Sequence, residues 1–428
     1  MSQKRTPRKE IVLFFILVAA SAFGLGLSDS VYGNYFKDAF NVTATQRAFL
    51  EFPRELPGLL CAVVIALLSA YGDAKSSLVA QLFSFAGLLA LAVLAPSYGM
   101  MMVFLFINSM GMHLSMPLND SIGMNIAEPD QIGRRVGQYA SVKTAMGFLA
   151  GILVFLGFRF NIFSFTTPVN LVFLIGAGAC LVALVASALL VKEKVPALSA
   201  AKKKKRKIVF RKEYRYFYMV TMLHGVQKQI AVVFGSWVII DLLDKKADTM
   251  SLLMIAVSFV SIFFMRVLGR WIDHFGVKKM MYLDALTFIF IYIIYGFVVW
   301  GITGKVLPGT GWPVFAIYVL FVLDRLSMQI GVVKSVYLRS IAVTKEEITA
   351  ALSTGTSLDH VVAILAAQLS GLVWTIWGPQ WVFFLAAFFS LGNLFVAWKI
   401  PGERNQKILP ADMITAEVEE ERLSDEVV

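Results

Sequence analysis

Charge is what this chain has least of for its length. Of its 428 residues only 16% are Asp, Glu, Lys or Arg, against 58% apolar, and the mean hydropathy is +0.73. A water-soluble globule of that size needs far more polar surface, so the composition excludes one and points to a polytopic membrane protein. Cysteine is nearly absent: Cys61 and Cys180 both fall inside apolar runs, which excludes a disulfide framework and leaves them as small packing residues. The four histidines, His113, His224, His274 and His360, show no ligand spacing with one another or with cysteine, so no metal and no cofactor are expected. Glycine-rich phosphate loops and a serine nucleophile elbow are also missing, and no enzymatic role is expected. A net charge of +11 suits nucleic acid in principle, but the basic residues sit at the ends of apolar runs instead of along one face. Membrane topology accounts for them, and no nucleic-acid partner is implied.

What the chain has in abundance is apolar runs long enough to cross a bilayer as helices. They fall near residues 11–35, 55–72, 78–95, 99–118, 136–158 and 168–191, and again near 214–242, 250–269, 280–301, 312–335, 350–374 and 380–399. The expected fold is therefore an all-α integral membrane protein of twelve transmembrane helices in two six-helix bundles. Residues 1–10 form a basic amino-terminal segment, 11–191 the first bundle, 192–213 a basic middle loop, 214–400 the second bundle and 401–428 a disordered acidic tail. The run after residue 10 is too long for a cleaved signal, so the first helix is expected to be retained as an anchor.

Basic residues orient the chain. Lys202 to Lys207 is an unbroken cationic run, whereas the loops on the opposite side keep only Lys37, Arg47, Arg54, Arg159, Lys245, Lys246 and Lys305. Both termini and the middle loop are thus expected in the cytoplasm, in the inner membrane of a bacterium. Asn41-Val42-Thr43 matches a glycosylation triplet, but nothing else in the sequence points to a secretory route.

Between the eighth and ninth runs lies Gly269-Arg270-Trp271-Ile272-Asp273-His274-Phe275-Gly276-Val277-Lys278-Lys279. Its glycines let two helices approach, and its basic pair suits the headgroup layer. A degraded copy, Ser69-Ala70-Tyr71-Gly72-Asp73-Ala74-Lys75-Ser76, sits between the second and third runs, as expected of a duplicated chain. A fixed offset also pairs His113 with Gln329, Ile132 with Ile348 and Lys143 with Asp359. The loop spacing resembles the signature of the major facilitator superfamily of secondary transporters, and the resemblance extends over residues 11–400. It departs from the family pattern at Ser69 and Ser76, where glycines are usual. The marks of drug antiporters, sugar porters and nitrate porters are missing, so no subfamily is indicated. Asp73, Gly269, Arg270, Asp273, Gly276, Lys278 and Lys279 are the conformational loop residues the resemblance implies.

An ionisable side chain at mid-membrane costs about 2.5–3.5 kcal/mol on insertion scales, so each must be paired, hydrated or used. His224, Gln227 and Lys228 share one face of the seventh run, and Arg325 and Gln329 share a face of the tenth. The superfamily lines its cavity with the first, fourth, seventh and tenth helices. If that carries over, Lys228 and Arg325 meet across the cavity and hold an anion, with Asn108, His113, His224, Gln227 and Gln329 as further binding residues. The competing arrangement is a Lys228–Asp324 ion pair with Arg325 on a backbone carbonyl. Asp359 and His360 can take up and release a proton; a Lys143–Asp359 pair closing the cytoplasmic gate competes, and both can hold. Arg54 with Asp29 makes an outer gate, or the two are solvated charges at a helix start.

These residues point to a secondary active transporter, a proton symporter among the alternatives, moving a small hydrophilic anionic metabolite by alternating access as a monomer. Proton-coupled efflux of amphipathic compounds is a second reading, argued from the aromatic and methionine content. A transporter-like membrane sensor or lipid-handling protein that turns over nothing is a third.

Overall fold

The structure, a computed structural model, describes residues 9–94, 97–127, 132–193, 198, 210–343 and 345–400. The cationic run of the middle loop, the helix break at Pro129-Asp130 and the acidic tail lie outside the described residues. Those described form helices and connecting turns, with no strand among them. In lipid every backbone amide has to be satisfied within its own segment, and an apolar helix achieves this. The first bundle consists of α1 (Lys9–Phe40), α2 (Glu51–Leu68), α3 (Gly72–Val93), α4 (Tyr98–Asn125), α5 (Ile132–Arg159) and α6 (Leu171–Lys192). A short helix, Ala44–Phe49, links α1 to α2 through a capping box in which Thr43 and Gln46 satisfy each other.

In the second bundle α7 begins at Arg215 and passes after Gln229 into two π turns, Ile230–Gly235 and Val238–Leu242. A continuous helix, Ala247–Thr303, breaks at Gly276, so that its arms are α8 (residues 247–275) and α9 (277–303). α10 (Trp312–Ile341, in two pieces), α11 (Lys345–Ile376) and α12 (Pro379–Lys399) follow. Eleven of the described helices are long and apolar enough to cross a membrane. α2 is the twelfth member, its apolarity diluted by Glu51, Arg54 and Glu55 in its first turns.

The expected turn at 269–279 is real, but its pivot is one residue, Gly276, at φ 76°. Only glycine takes that conformation without strain. The equivalent pivot in the first bundle is Gly72, at φ 79°, directly before Asp73. The two copies therefore turn at different positions, after the Asp in one and before it in the other. Close packing inside the first bundle also rests on glycine. A Cβ on Gly24 of α1 would lie 2.8 Å from the Gly176 carbonyl oxygen of α6.

The apolar core reports how the bundles meet. One continuous cluster runs through both at the end of the molecule away from the amino terminus, joining Val31, Tyr35 and Phe36 of α1 to Val238, Ile239 and Ile240 of α7. At the opposite end the core divides. One cluster there (Phe14, Val18, Ile122, Leu190) belongs to the first bundle and another (Phe217, Leu268, Tyr337, Val396) to the second. Among the described residues, buried apolar packing joins the bundles on the far side, and no such cluster joins them on the side that carries the amino terminus and the Gly276 turn.

Candidate functional site

Below the seal, three layers of polar side chains lie between the bundles. The uppermost is built on Glu51, the first residue of α2, which is fully buried. Its Oε1 accepts from Arg47 at 2.5 Å and Arg54 at 2.8 Å, and its Oε2 accepts from Gln229 Nε2 of α7 at 3.0 Å. Arg47, 4% exposed, is thus no loop charge. Burial of this kind is tolerable because each charge has an opposite within hydrogen-bond distance. Arg54 does reach Asp29, at 3.9 Å, but its closer partner is Glu51. The expected outer gate is therefore a larger network than a single pair. Around it further ties cross the seam: Lys37 with Asp241, Lys246 with Asp38 at 3.4 Å, Asn34 Nδ2 to the Lys245 carbonyl at 3.0 Å and Gln368 Nε2 to the Ala48 carbonyl at 2.9 Å.

The middle layer joins Glu55 of α2 to His360 of α11, Oε2 to Nδ1 at 2.6 Å. The His113 ring of α4 lies edge-on to the His360 ring, their centroids 5.2 Å apart. His360 can pack so closely against α2 because residue 58 is glycine; a Cβ there would overlap the imidazole.

The third layer is the Lys228–Asp359 ion pair between α7 and α11. Gly225, one turn before Lys228, leaves the room that the Asp359 carboxylate occupies. His224 and Lys334 lie beside the pair, with Lys334 Nζ 3.4 Å from His224 Nδ1. Among the described residues Lys334 has no carboxylate within ion-pair distance.

Several expected arrangements do not form. Lys228 pairs with Asp359, neither with Asp324 nor across a cavity with Arg325. Arg325 is turned to Ser236, its Nη2 donating to the Oγ at 3.0 Å, with its guanidinium over the Phe321 ring. Asp324, one residue earlier and so about 100° around the helix, is buried towards Tyr292 and Tyr295. Gln227 is wholly buried between α7 and α12, donating to Ser390 at 2.6 Å and accepting from Asn393 at 2.9 Å, so it packs two helices of one bundle together. Gln329 donates to Ser261 of α8 at 2.5 Å. Asn108 accepts from Tyr32 at 2.8 Å and donates to the Ser84 carbonyl at 3.3 Å, tying α4 to α1 and α3. Lys143 is exposed, and Asp359 has its partner in Lys228, so the Lys143–Asp359 gate is not closed. In the turns, Asp73 accepts from Ser121 at 2.6 Å and Asn125 at 3.0 Å of α4. Lys278 caps the end of α12 by donating to the Ile400 carbonyl at 2.7 Å. Gly269, Arg270 and Asp273 are exposed or have open space around them.

Two sealed bundles of six helices, a turn with its glycine pivot repeated in each, and a polar belt between them describe a transporter architecture. The sequence model of the Major Facilitator Superfamily matches residues 14–301. The chain belongs to that superfamily. Solved superfamily-type transporters share its fold across nearly all of its length. A D-xylose-proton symporter superposes with a TM-score of 0.68 at 16% identity, covering 93% of this chain and 99% of the symporter. A nucleoside transporter gives 0.69 at 11% identity, covering 92% and 100%, and an auto-inhibited POT family peptide transporter gives 0.71 at 14%, covering 94% and 99%. No curated relative matches the sequence. Identities this low carry the fold alone, so the solute has to be argued from the residues in the belt. Membership of the superfamily makes the chain a multi-pass membrane transporter of small molecules.

Proposed function

We propose that this chain is a secondary active transporter that moves a small hydrophilic solute bearing a carboxylate or phosphate group by alternating access, as a monomer. In this reading the amino-terminal side is cytoplasmic in a bacterial inner membrane, and the conformation is the inward-facing one. The observation that carries the proposal is the one-sided seal: a continuous core on the far side, two separate cores on the near side, and charged residues at the floor of the gap between them.

The preference for an anion rests on Lys334 and His224. Lys228 is neutralised by Asp359, and Arg325 is engaged with Ser236 and Phe321. Among the described residues Lys334 has no ion-pair partner, Asp359 and Asp284 acting on it only through space, and an ammonium is a point charge suited to an oxyanion. Asp359 offers a route for proton coupling. Protonation would release Lys228 from the pair, and closure of the near side would bring α5, with Lys143, towards α11. Asp359 would then exchange one lysine for another as the bundles rock. The polar belt argues against the amphipathic-efflux reading, because an oily compound gains nothing from a floor of buried charge.

Thermal stabilisation of the purified protein by small carboxylates and organic phosphates tests the assignment, since a ligand of the folded state raises its melting temperature. Stabilisation by anions that is lost in Lys334→Ala and kept in Arg325→Ala supports it. Stabilisation only by lipophilic cations overturns it.

A further inference from the structure

We propose that Glu55, His113 and His360 form a binding site for one divalent transition-metal ion, of the Zn²⁺, Co²⁺ or Fe²⁺ class, that ties the two bundles together in this conformation. The three residues come from α2, α4 and α11, and one ligand atom from each lies within 4.8 Å of the others. Two imidazoles and a carboxylate match the ligand preference of these borderline ions and disfavour Mg²⁺ and Ca²⁺, which take oxygen ligands. Bonds of about 2.0–2.1 Å at tetrahedral angles put ligand atoms about 3.3 Å apart. The three ligand atoms, all within 4.8 Å of one another, lie close to that spacing, and the 2.6 Å Glu55–His360 hydrogen bond opens as both groups turn to the ion.

The surroundings are those of a supported site. His113 Nδ1 is 2.9 Å from the Ser109 carbonyl and 3.1 Å from its Oγ. With the Nδ1 proton donated to that carbonyl, Nε2 keeps its lone pair for an ion, the outer-shell arrangement common to ligating histidines. Ser109 is held in turn, its Oγ donating to the Arg54 carbonyl at 2.5 Å. Nearby charge also leaves Glu55 available. Glu51 is matched by Arg47 and Arg54, and Asp359 by Lys228, whereas the group within ion-pair distance of Glu55 is His360, which is neutral when it acts as a ligand. Lys228 is close enough to act on Glu55 electrostatically, but its ammonium is held by Asp359. Because Glu55 and His113 belong to one bundle and His360 to the other, an ion bound by all three favours the conformation in which the bundles touch here. This holds whether or not the chain carries an anion.

The experiment is a Co²⁺ titration of the full-length, tag-free, chelator-stripped protein in detergent, followed through the visible d–d bands, with metal content read by mass spectrometry. The expected result is one Co²⁺ per chain, displaced by Zn²⁺ and not by Mg²⁺, with affinity falling about tenfold or more in each of His113→Ala, His360→Ala and Glu55→Gln. His274→Ala, in the exposed turn, retains binding. Gel filtration and far-ultraviolet circular dichroism establish that each variant is folded. Absence of visible bands from the wild-type protein at millimolar Co²⁺ overturns the proposal even if every variant misfolds. Undiminished binding in folded His113→Ala and His360→Ala does so as well.

Discussion

Replacing Glu51 with glutamine removes one charge and almost no volume, and the consequence can be worked out from its neighbours. Arg47 is 4% exposed and takes its opposite charge from Glu51; Arg54 retains Asp29 at 3.9 Å. Glutamine can still accept from Gln229, so the substitution isolates the loss of charge. Breaking a buried ion pair by removing one partner costs about 3–5 kcal/mol, because the survivor stays buried and uncompensated. An unfolding entropy of about 2.1 cal/mol/K per residue gives about 0.9 kcal/mol/K for a chain of this length, so Glu51→Gln should lower the melting temperature by about 3–6 °C. The companion variant Glu51→Gln/Arg47→Met keeps the acceptor for Gln229, leaves Arg54 to Asp29 and removes the stranded Arg47 charge, so it should recover most of the loss. Differential scanning fluorimetry in one detergent, with monodispersity confirmed, reads both. A shift of less than about 1 °C for Glu51→Gln would mean that Arg47 is hydrated or finds another partner, and the network would not be what seals the far side.

Lys228→Ala and Asp359→Asn should each destabilise the protein more than the double variant does, a coupling that a double-mutant cycle in thermal unfolding reads directly; additive losses would mean the two do not pair. Gly276→Ala should cost about 1–3 kcal/mol because alanine is strained at φ 76°, ψ 168°, whereas Gly269→Ala, with open space around it, should be neutral or slightly stabilising, the contrast being visible in melting temperature. Gln229→Ala removes a hydrogen bond between the bundles and leaves each bundle otherwise intact. It should therefore raise the reactivity of a cysteine placed at Ala48, on the sealed side, towards a membrane-impermeant maleimide.

The helices were largely readable from the sequence because apolar run length is set by bilayer thickness, and that constraint is local. So was the 269–279 turn, since its glycines and lysines are contiguous. Edges were less legible. α1 continues to Phe40 because Lys37 and Asp38, read as the start of a loop, are paired with Asp241 and Lys246 of the second bundle. The site was legible in its residues and not in its pairings. Lys228 and Asp359 both stood out as intramembrane charges, yet their partnership joins positions 131 residues apart. Arg47 read as a loop charge and Glu51 drew no reading of its own, because only tertiary packing buries them. Glu55, His113 and His360 have no ligand spacing because each comes from a different helix. The helical angle between Asp324 and Arg325 did indicate that they are poor partners, and they form no ion pair with each other. Gln227 and Gln329 misled, since a glutamine at mid-membrane can equally bond a serine on the neighbouring helix of its own bundle, as both do here.

Alternating access makes one demand above the others: opening of the far side has to accompany closing of the near side. Double electron–electron resonance in lipid nanodiscs measures both, with one spin-label pair at Phe160 and Trp312 on the far side and another at Met124 and Arg339 on the near side, all exposed positions on different bundles. In the wild-type background the far-side distance should be the short one for its pair. Introducing Glu51→Gln, which weakens the seal, should lengthen it and shorten the near-side distance in the same sample. Two distances that stay fixed, or that lengthen together, would contradict a rocking transporter.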